Sequence, residues 1–125
     1  MRFVIPLVAL GFGSLFAAEH TKDTPAEVQK AVAEKKAVLV DVREETEWAD
    51  GHLKLALAFP LSKLKDAKAG DLPKEIAKDT PIYLHCASGK RSLKAADRLK
   101  ELGYDARPLK AGYEDLLKAG FEKAK

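Results

Sequence analysis

The sequence predicts a three-layer α/β domain, a central parallel sheet of about five strands with helices on both faces. Two observations carry that reading. Short apolar runs alternate along the chain with segments of helical periodicity, with no linker and no repeat between them. One of those runs, Pro81-Ile-Tyr-Leu-His85, leads into the loop Cys86-Ala-Ser-Gly-Lys-Arg91, and a helical pattern opens directly behind it. Ligands of such folds bind at the carboxyl ends of strands, which is where Cys86 falls.

The elements follow in order. Residues 1–18 read as a signal peptide: Arg2 supplies a positive charge, Phe3 to Phe16 is apolar apart from Gly, Pro and Ser, and Ala17-Ala18 offers small residues for cleavage. The apolar run is shorter than the roughly 18 to 20 residues that span a bilayer, so no stable membrane anchor is expected after cleavage. The domain is then residues 19–125, exported, and periplasmic if the source is a Gram-negative bacterium. Thr24-Pro25-Ala26-Glu27 has the spacing of a capping box with proline at the first helical position, which starts a helix running to about Lys36. Ala37-Val-Leu-Val-Asp-Val42 is a continuous apolar strand of the kind covered on both faces. Glu44 to Asp50 reads as a short helix stopped by Gly51, and Ala56 to Phe59 as a short strand ending at Pro60. A weak helix near Ser62 to Lys68 and the segment Leu72 to Ala77 lead to the strand at Pro81. Ser92 to Leu102 places apolar residues at 93, 95, 96, 99 and 102, one helix face, and Gly103 stops it. Tyr104 to Leu109 is the last strand and Gly112 to Ala119 the last helix.

Cys86 is the only cysteine of the chain. Its loop leaves a strand and opens a helix, so backbone N–H groups and the helix dipole favour negative charge there, and Lys90 and Arg91 add two cations. Those conditions favour the thiolate, the nucleophilic form. A buried apolar filler explains neither the glycine nor the cations. In an exported chain a single cysteine builds no internal disulfide and stands out as a reactive thiol. The charge balance points to no polymer: 22 Lys and Arg against 19 Asp and Glu leave +3, or +2 once Arg2 is gone, spread along helical faces. No nucleic-acid partner is expected from so weak a balance. One cysteine and three scattered histidines show no metal-ligand spacing, so no metal is expected.

Three segments in order resemble the rhodanese-like family. They are Asp41-Val-Arg-Glu-Glu-Thr-Glu-Trp-Ala-Asp-Gly-His-Leu53 followed by Ala56-Leu-Ala-Phe-Pro-Leu61, the loop His85-Cys-Ala-Ser-Gly-Lys-Arg-Ser92, and Gly103-Tyr104 with Leu109-Lys-Ala-Gly-Tyr-Glu114. The likeness runs from about Thr24 to Phe121, and the Phe-Ala-Ala-Glu-His stretch before it is similar to small exported members of the phage-shock protein E type. The resemblance implies a rhodanese-like fold and a sulfurtransferase. Cys86 would be the catalytic nucleophile, taking sulfur from a small anionic donor such as thiosulfate and passing it, as a persulfide, to a thiol or cyanide, with no cofactor. Ala87, Ser88, Gly89, Lys90 and Arg91 would bind the substrate. Asp41, Arg43 and Ser92 would be structural beside the site, Asp41 and Arg43 as an ion pair or loop anchor and Ser92 as the cap of the following helix. The family often carries Pro-Gly at Lys54-Leu55, Gly-Gly at Ala111-Gly112, tryptophan at Leu116-Leu117 and arginine at Ala87. The first three departures touch turns and packing; the last removes a cation from the mouth of the site.

Other readings of the loop remain at this point: a non-enzymatic persulfide carrier or binding module, and a phosphatase or arsenate reductase of the cysteine-loop type. Four residues separate Cys86 from Arg91, where cysteine phosphatases have five, which argues against a loop wide enough for a tetrahedral oxyanion. Glu47 and Trp48 read as packing and surface residues. His85 adjoins Cys86, yet strand neighbours point to opposite faces, so it is not read as a base. His52 could approach the loop in space, but a Cys–His catalytic pair is not the favoured reading.

Overall fold

The computed structural model describes residues 17–125. The signal-peptide reading lies outside the described residues apart from Ala17 and Ala18. Thr24 opens helix α1 (Pro25–Ala33) with the expected reciprocal cap: its hydroxyl accepts from the Glu27 N–H, and the Glu27 carboxylate accepts from the Thr24 N–H. The helix stops short of Lys36 because Lys35 turns left-handed at φ 63° and the Lys36 N–H bonds back to the Ala31 carbonyl. Then come β1 (Val38–Asp41), α2 (Glu45–Asp50), β2 (Ala56–Ala58) and α3 (Leu61–Leu64). A 3₁₀ turn (Ala69–Asp71), β3 (Ile82–His85), α4 (Lys90–Glu101), β4 (Ala106–Pro108) and α5 (Tyr113–Lys118) complete the order.

Among the described residues the sheet has four strands, against the expected number of about five, all parallel and ordered β2-β1-β3-β4. The position beyond β4 is not a strand for a local reason. Residues 17–24 run beside it, but the outer edge of β4 offers Pro108, which has no N–H, and the one backbone bond across is Thr21 N–H to the Pro108 carbonyl, 2.8 Å. The all-buried Ile-Tyr-Leu-His run of β3 fits a central strand covered on both faces.

Side-chain alternation sorts the core into two clusters. Val40, Val42, Ile82 and Leu84 face α3 and α4, meeting Leu61, Leu64, Ala95, Ala96 and Leu99. Leu39 and Tyr83 face the other way, toward Val28 and Val32 of α1 and Tyr113 and Leu116 of α5. Ala95 and Ala96 have no exposed surface, and their small side chains let α4 lie close on the sheet. Connections from β1 run toward one edge and those from β3 toward the other, so the carboxyl ends of β1 and β3, paired through Asp41 and His85, form the switch point of the sheet. Among the described residues no helix is long and apolar enough to cross a membrane.

Candidate active site

Cys86 is the first residue beyond β3, and the chain turns at once through Ala87 and Ser88 into α4. The turn closes at Gly89, left-handed at φ 90°, whose N–H donates to the Cys86 sulfur at 3.0 Å. Glycine is required there twice over: the backbone angle excludes most side chains, and a Cβ would lie 2.8 Å from the Lys110 carbonyl oxygen. Cys86 itself has no exposed surface and packs in the α3–α4 cluster, while Ala87 and Ser88 above it are exposed. The thiol therefore sits beneath its loop rather than at an open surface. It differs from an apolar filler in having a backbone donor aimed at its sulfur. Among the described residues, the N–H groups of Ala87, Ser88, Lys90 and Arg91 donate to no other group. Free N–H groups in this turn and in the first turn of α4 favour negative charge there.

The two cations of the loop have different fates. Both stand in the first turn of α4, which holds no acidic residue, so the helix dipole opposes them. Arg91 is compensated by a bidentate pair with Glu47 of α2, at 2.6 and 2.9 Å. The guanidinium hydrogen bond holds the Glu47 carboxyl down at about 2. Lys90 is exposed and makes no ion pair among the described residues. Ser92 does not cap the helix as expected. Gly89 holds the cap position, and Ser92 is fully buried two residues inside, its hydroxyl 2.9 Å from the Gly89 carbonyl and 3.1 Å from the Leu109 carbonyl. A cap accepts from backbone N–H; this hydroxyl donates, tying the loop to the end of β4.

Asp41 and Arg43 form a buried ion pair at 2.8 Å. The carboxylate accepts from Arg43 Nε and Nη2 and from the Arg43 backbone N–H, and Nη2 also reaches the Gly51 carbonyl at 2.7 Å. The arginine lies over the Tyr113 ring, 4.1 Å from its centre. His85 shares that face: its Nδ1 donates to the Cys86 carbonyl at 3.2 Å, and Nε2 lies 3.6 Å from Asp41. Burial pushes the His85 imidazole below its ordinary 6.5. His52 is stacked on Trp48 and donates to its carbonyl. Among the described residues no group of side chains could hold a metal ion.

Three residues that sequence reasoning did not place at the loop prove to support it. Glu47 is one. Gly112 is the second: a Cβ there would lie 1.9 Å from the Ala87 carbonyl oxygen, and the adjacent Tyr113 N–H donates to the Cys86 carbonyl at 2.9 Å. Of the expected Gly-Gly pair only this second glycine is sterically demanded, which is why Ala111 is tolerated. His20, whose ring reaches the Gly89 carbonyl at 2.8 Å, is the third.

Comparison with known proteins agrees with this geometry. A family model described as "Rhodanese-like domain" matches residues 24–119. The uncharacterized protein YqhL of Bacillus subtilis is 36% identical over 101 residues, covering 81% of this chain and 73% of that protein. The adenylyltransferase and sulfurtransferase uba4 of Ogataea parapolymorpha is 36% identical over 84 residues, but this chain spans only 21% of it. Among solved structures, the human single-domain sulfurtransferase TSTD1 has a TM-score of 0.66 at 26% identity, covering 77% of this chain and 97% of that one. The rhodanese-like domain protein of Staphylococcus aureus has a TM-score of 0.63 at 29% identity, covering 78% and 92%. With the match spanning the sheet, the cysteine loop and α5 together, the chain belongs to the rhodanese-like domain family.

Proposed function

We propose that the protein is a sulfurtransferase that works through a persulfide on Cys86, with thiosulfate or a related sulfane-sulfur anion as donor. The observation that carries the reading is the Gly89 N–H aimed at the Cys86 sulfur, at the strand end where this fold binds ligands. The thiolate attacks the outer sulfur of thiosulfate; the donor's S–S bond breaks and its electron pair leaves with sulfite. Cys86 then carries one extra sulfur with a negative charge, which the unpaired N–H groups of the loop stabilise as an oxyanion hole would. Cyanide or a thiolate attacks that outer sulfur, and the cysteine thiolate is the leaving group. Burial of the thiol under Ala87 and Ser88 favours small reactants, which suits thiosulfate and cyanide. The names of the human and fungal relatives, sulfurtransferases, support the same chemistry. Export through residues 1–18 belongs to the proposal and rests on the charged, apolar and small-residue order of that segment.

The test is direct. Mass spectrometry after thiosulfate treatment is expected to find one added sulfur on Cys86, released by cyanide as thiocyanate. Cys86→Ser is expected to abolish loading and turnover, since a hydroxyl lacking an adjacent base is a poor nucleophile. Turnover that survives in Cys86→Ser would end the proposal, and robust aryl-phosphate hydrolysis by the unmodified protein would replace it with the phosphatase reading.

A further inference from the structure

We infer that His20 is a positioning residue of the cysteine loop. It holds the Gly89 carbonyl so that the Gly89 N–H stays on the Cys86 sulfur. The ring lies 2.8 Å from that carbonyl through Nε2. A carbonyl oxygen only accepts, so Nε2 carries the hydrogen and donates it. The same glycine donates its N–H to the sulfur at 3.0 Å. The two groups flank one Cα, and that Cα is the left-handed hinge of the loop, with φ 90° and ψ −8°. A glycine resists rotation less than any other residue, so the direction of its N–H depends on what grips its carbonyl.

Ser92 cannot do this alone. Its hydroxyl lies within reach of both the Gly89 and the Leu109 carbonyls but has one proton to give. With His20 donating to Gly89, the Ser92 proton is free for Leu109, and both carbonyls are satisfied. The contact is built rather than incidental, because the backbone that follows His20 is anchored. The Thr21 N–H donates to the Pro108 carbonyl at the end of β4, and the Asp23 carboxylate accepts from the Tyr83 hydroxyl at 2.6 Å. His20 is thereby wedged against the hinge: a Cβ on Gly89 would lie 3.3 Å from its Nε2.

The inference deepens the sulfur-transfer reading and rests on it for its kinetic consequence, though not for its effect on the thiol. The test compares His20→Ala and His20→Gln in the full chain. It reads the rate of Cys86 alkylation by iodoacetamide at neutral pH, the ultraviolet absorbance of the thiolate, sulfur loading from thiosulfate, and thermal melting. Loss of one hydrogen bond predicts alkylation and loading slowed by about three- to tenfold in His20→Ala. His20→Gln, which puts an amide N–H near the place of Nε2–H, is expected to recover to within about twofold. Alkylation that is unchanged or faster in His20→Ala overturns the inference, and so does His20→Gln failing as badly as His20→Ala while melting normally. If the unmodified protein loads no sulfur yet the alkylation pattern holds, the sulfur-transfer reading falls and the positioning role stands.

Discussion

Lys90 and Arg91 are neighbours of one charge, and the structure separates them. Arg91 is spent on Glu47; Lys90 faces solvent at the start of a helix whose dipole disfavours it. Lys90→Ala is therefore expected to raise KM for thiosulfate by about three- to tenfold at low ionic strength, an effect that salt erases and a neutral sulfane donor does not show. Its melting temperature is expected to hold or rise slightly, because a mismatched charge is gone. Arg91→Ala is expected to behave differently, losing about 1 kcal/mol of stability after solvent screening and slowing both donors alike, since it leaves a half-buried carboxylate unpaired beside the loop. Equal losses for both donors in Lys90→Ala would remove it as an anion-steering group. Cys86 and Gly89 were legible in the sequence because strand, loop and helix adjoin there. Glu47 and His20 were not, since they meet the loop across 44 and 69 residues of chain, and no local pattern reports such a contact.

At the scale of elements, the cysteine loop is held from above by the turn between β4 and α5. Gly112 abuts the Ala87 peptide so closely that a Cβ would overlap its carbonyl, and backbone on both sides leaves no flexible side chain to give way. Gly112→Ala is expected to cost about 1–3 kcal/mol and to displace the loop from α5, so that sulfur loading falls further than the melting temperature alone would imply. Gly70→Ala is the control: nothing lies within 4 Å of the added carbon, and melting and loading are expected to stay as they were. A Gly112→Ala protein that melts and loads sulfur normally would refute the close approach. Element order was readable from alternating apolar runs and helical spacing, but element ends were decided by contacts those patterns do not contain. α4 starts at Lys90 rather than Ser92 because Gly89 turns left-handed under the Lys110 carbonyl, and the outer edge of β4 takes no further strand because of one proline and one backbone bond.

At the scale of the whole molecule, two buried or paired groups tie stability to pH in separate windows. His85 lies within the sheet, and burial is the main cause of its lowered pKa, only partly countered by Asp41. The folded protein therefore takes up this proton at lower pH than the unfolded chain, whose histidine titrates near 6.5. Below that point the unfolded state binds a proton the folded state refuses, so stability is full above it and is lost as pH falls. Glu47 acts later. Its folded value of about 2 lies under the ordinary 4.5, so its contribution is present above 4.5 and is lost as pH falls toward 2. The melting temperature is thus expected to decline in two stages on acidification, the first beginning between pH 7 and 6 and the second below pH 4.5. His85→Gln is expected to flatten the first stage whatever it does to the melting temperature at pH 7, and Glu47→Gln to flatten part of the second. A melting temperature constant from pH 7 to 5, or a first stage unaltered in His85→Gln, would show that the buried imidazole beneath the cysteine loop does not govern that window.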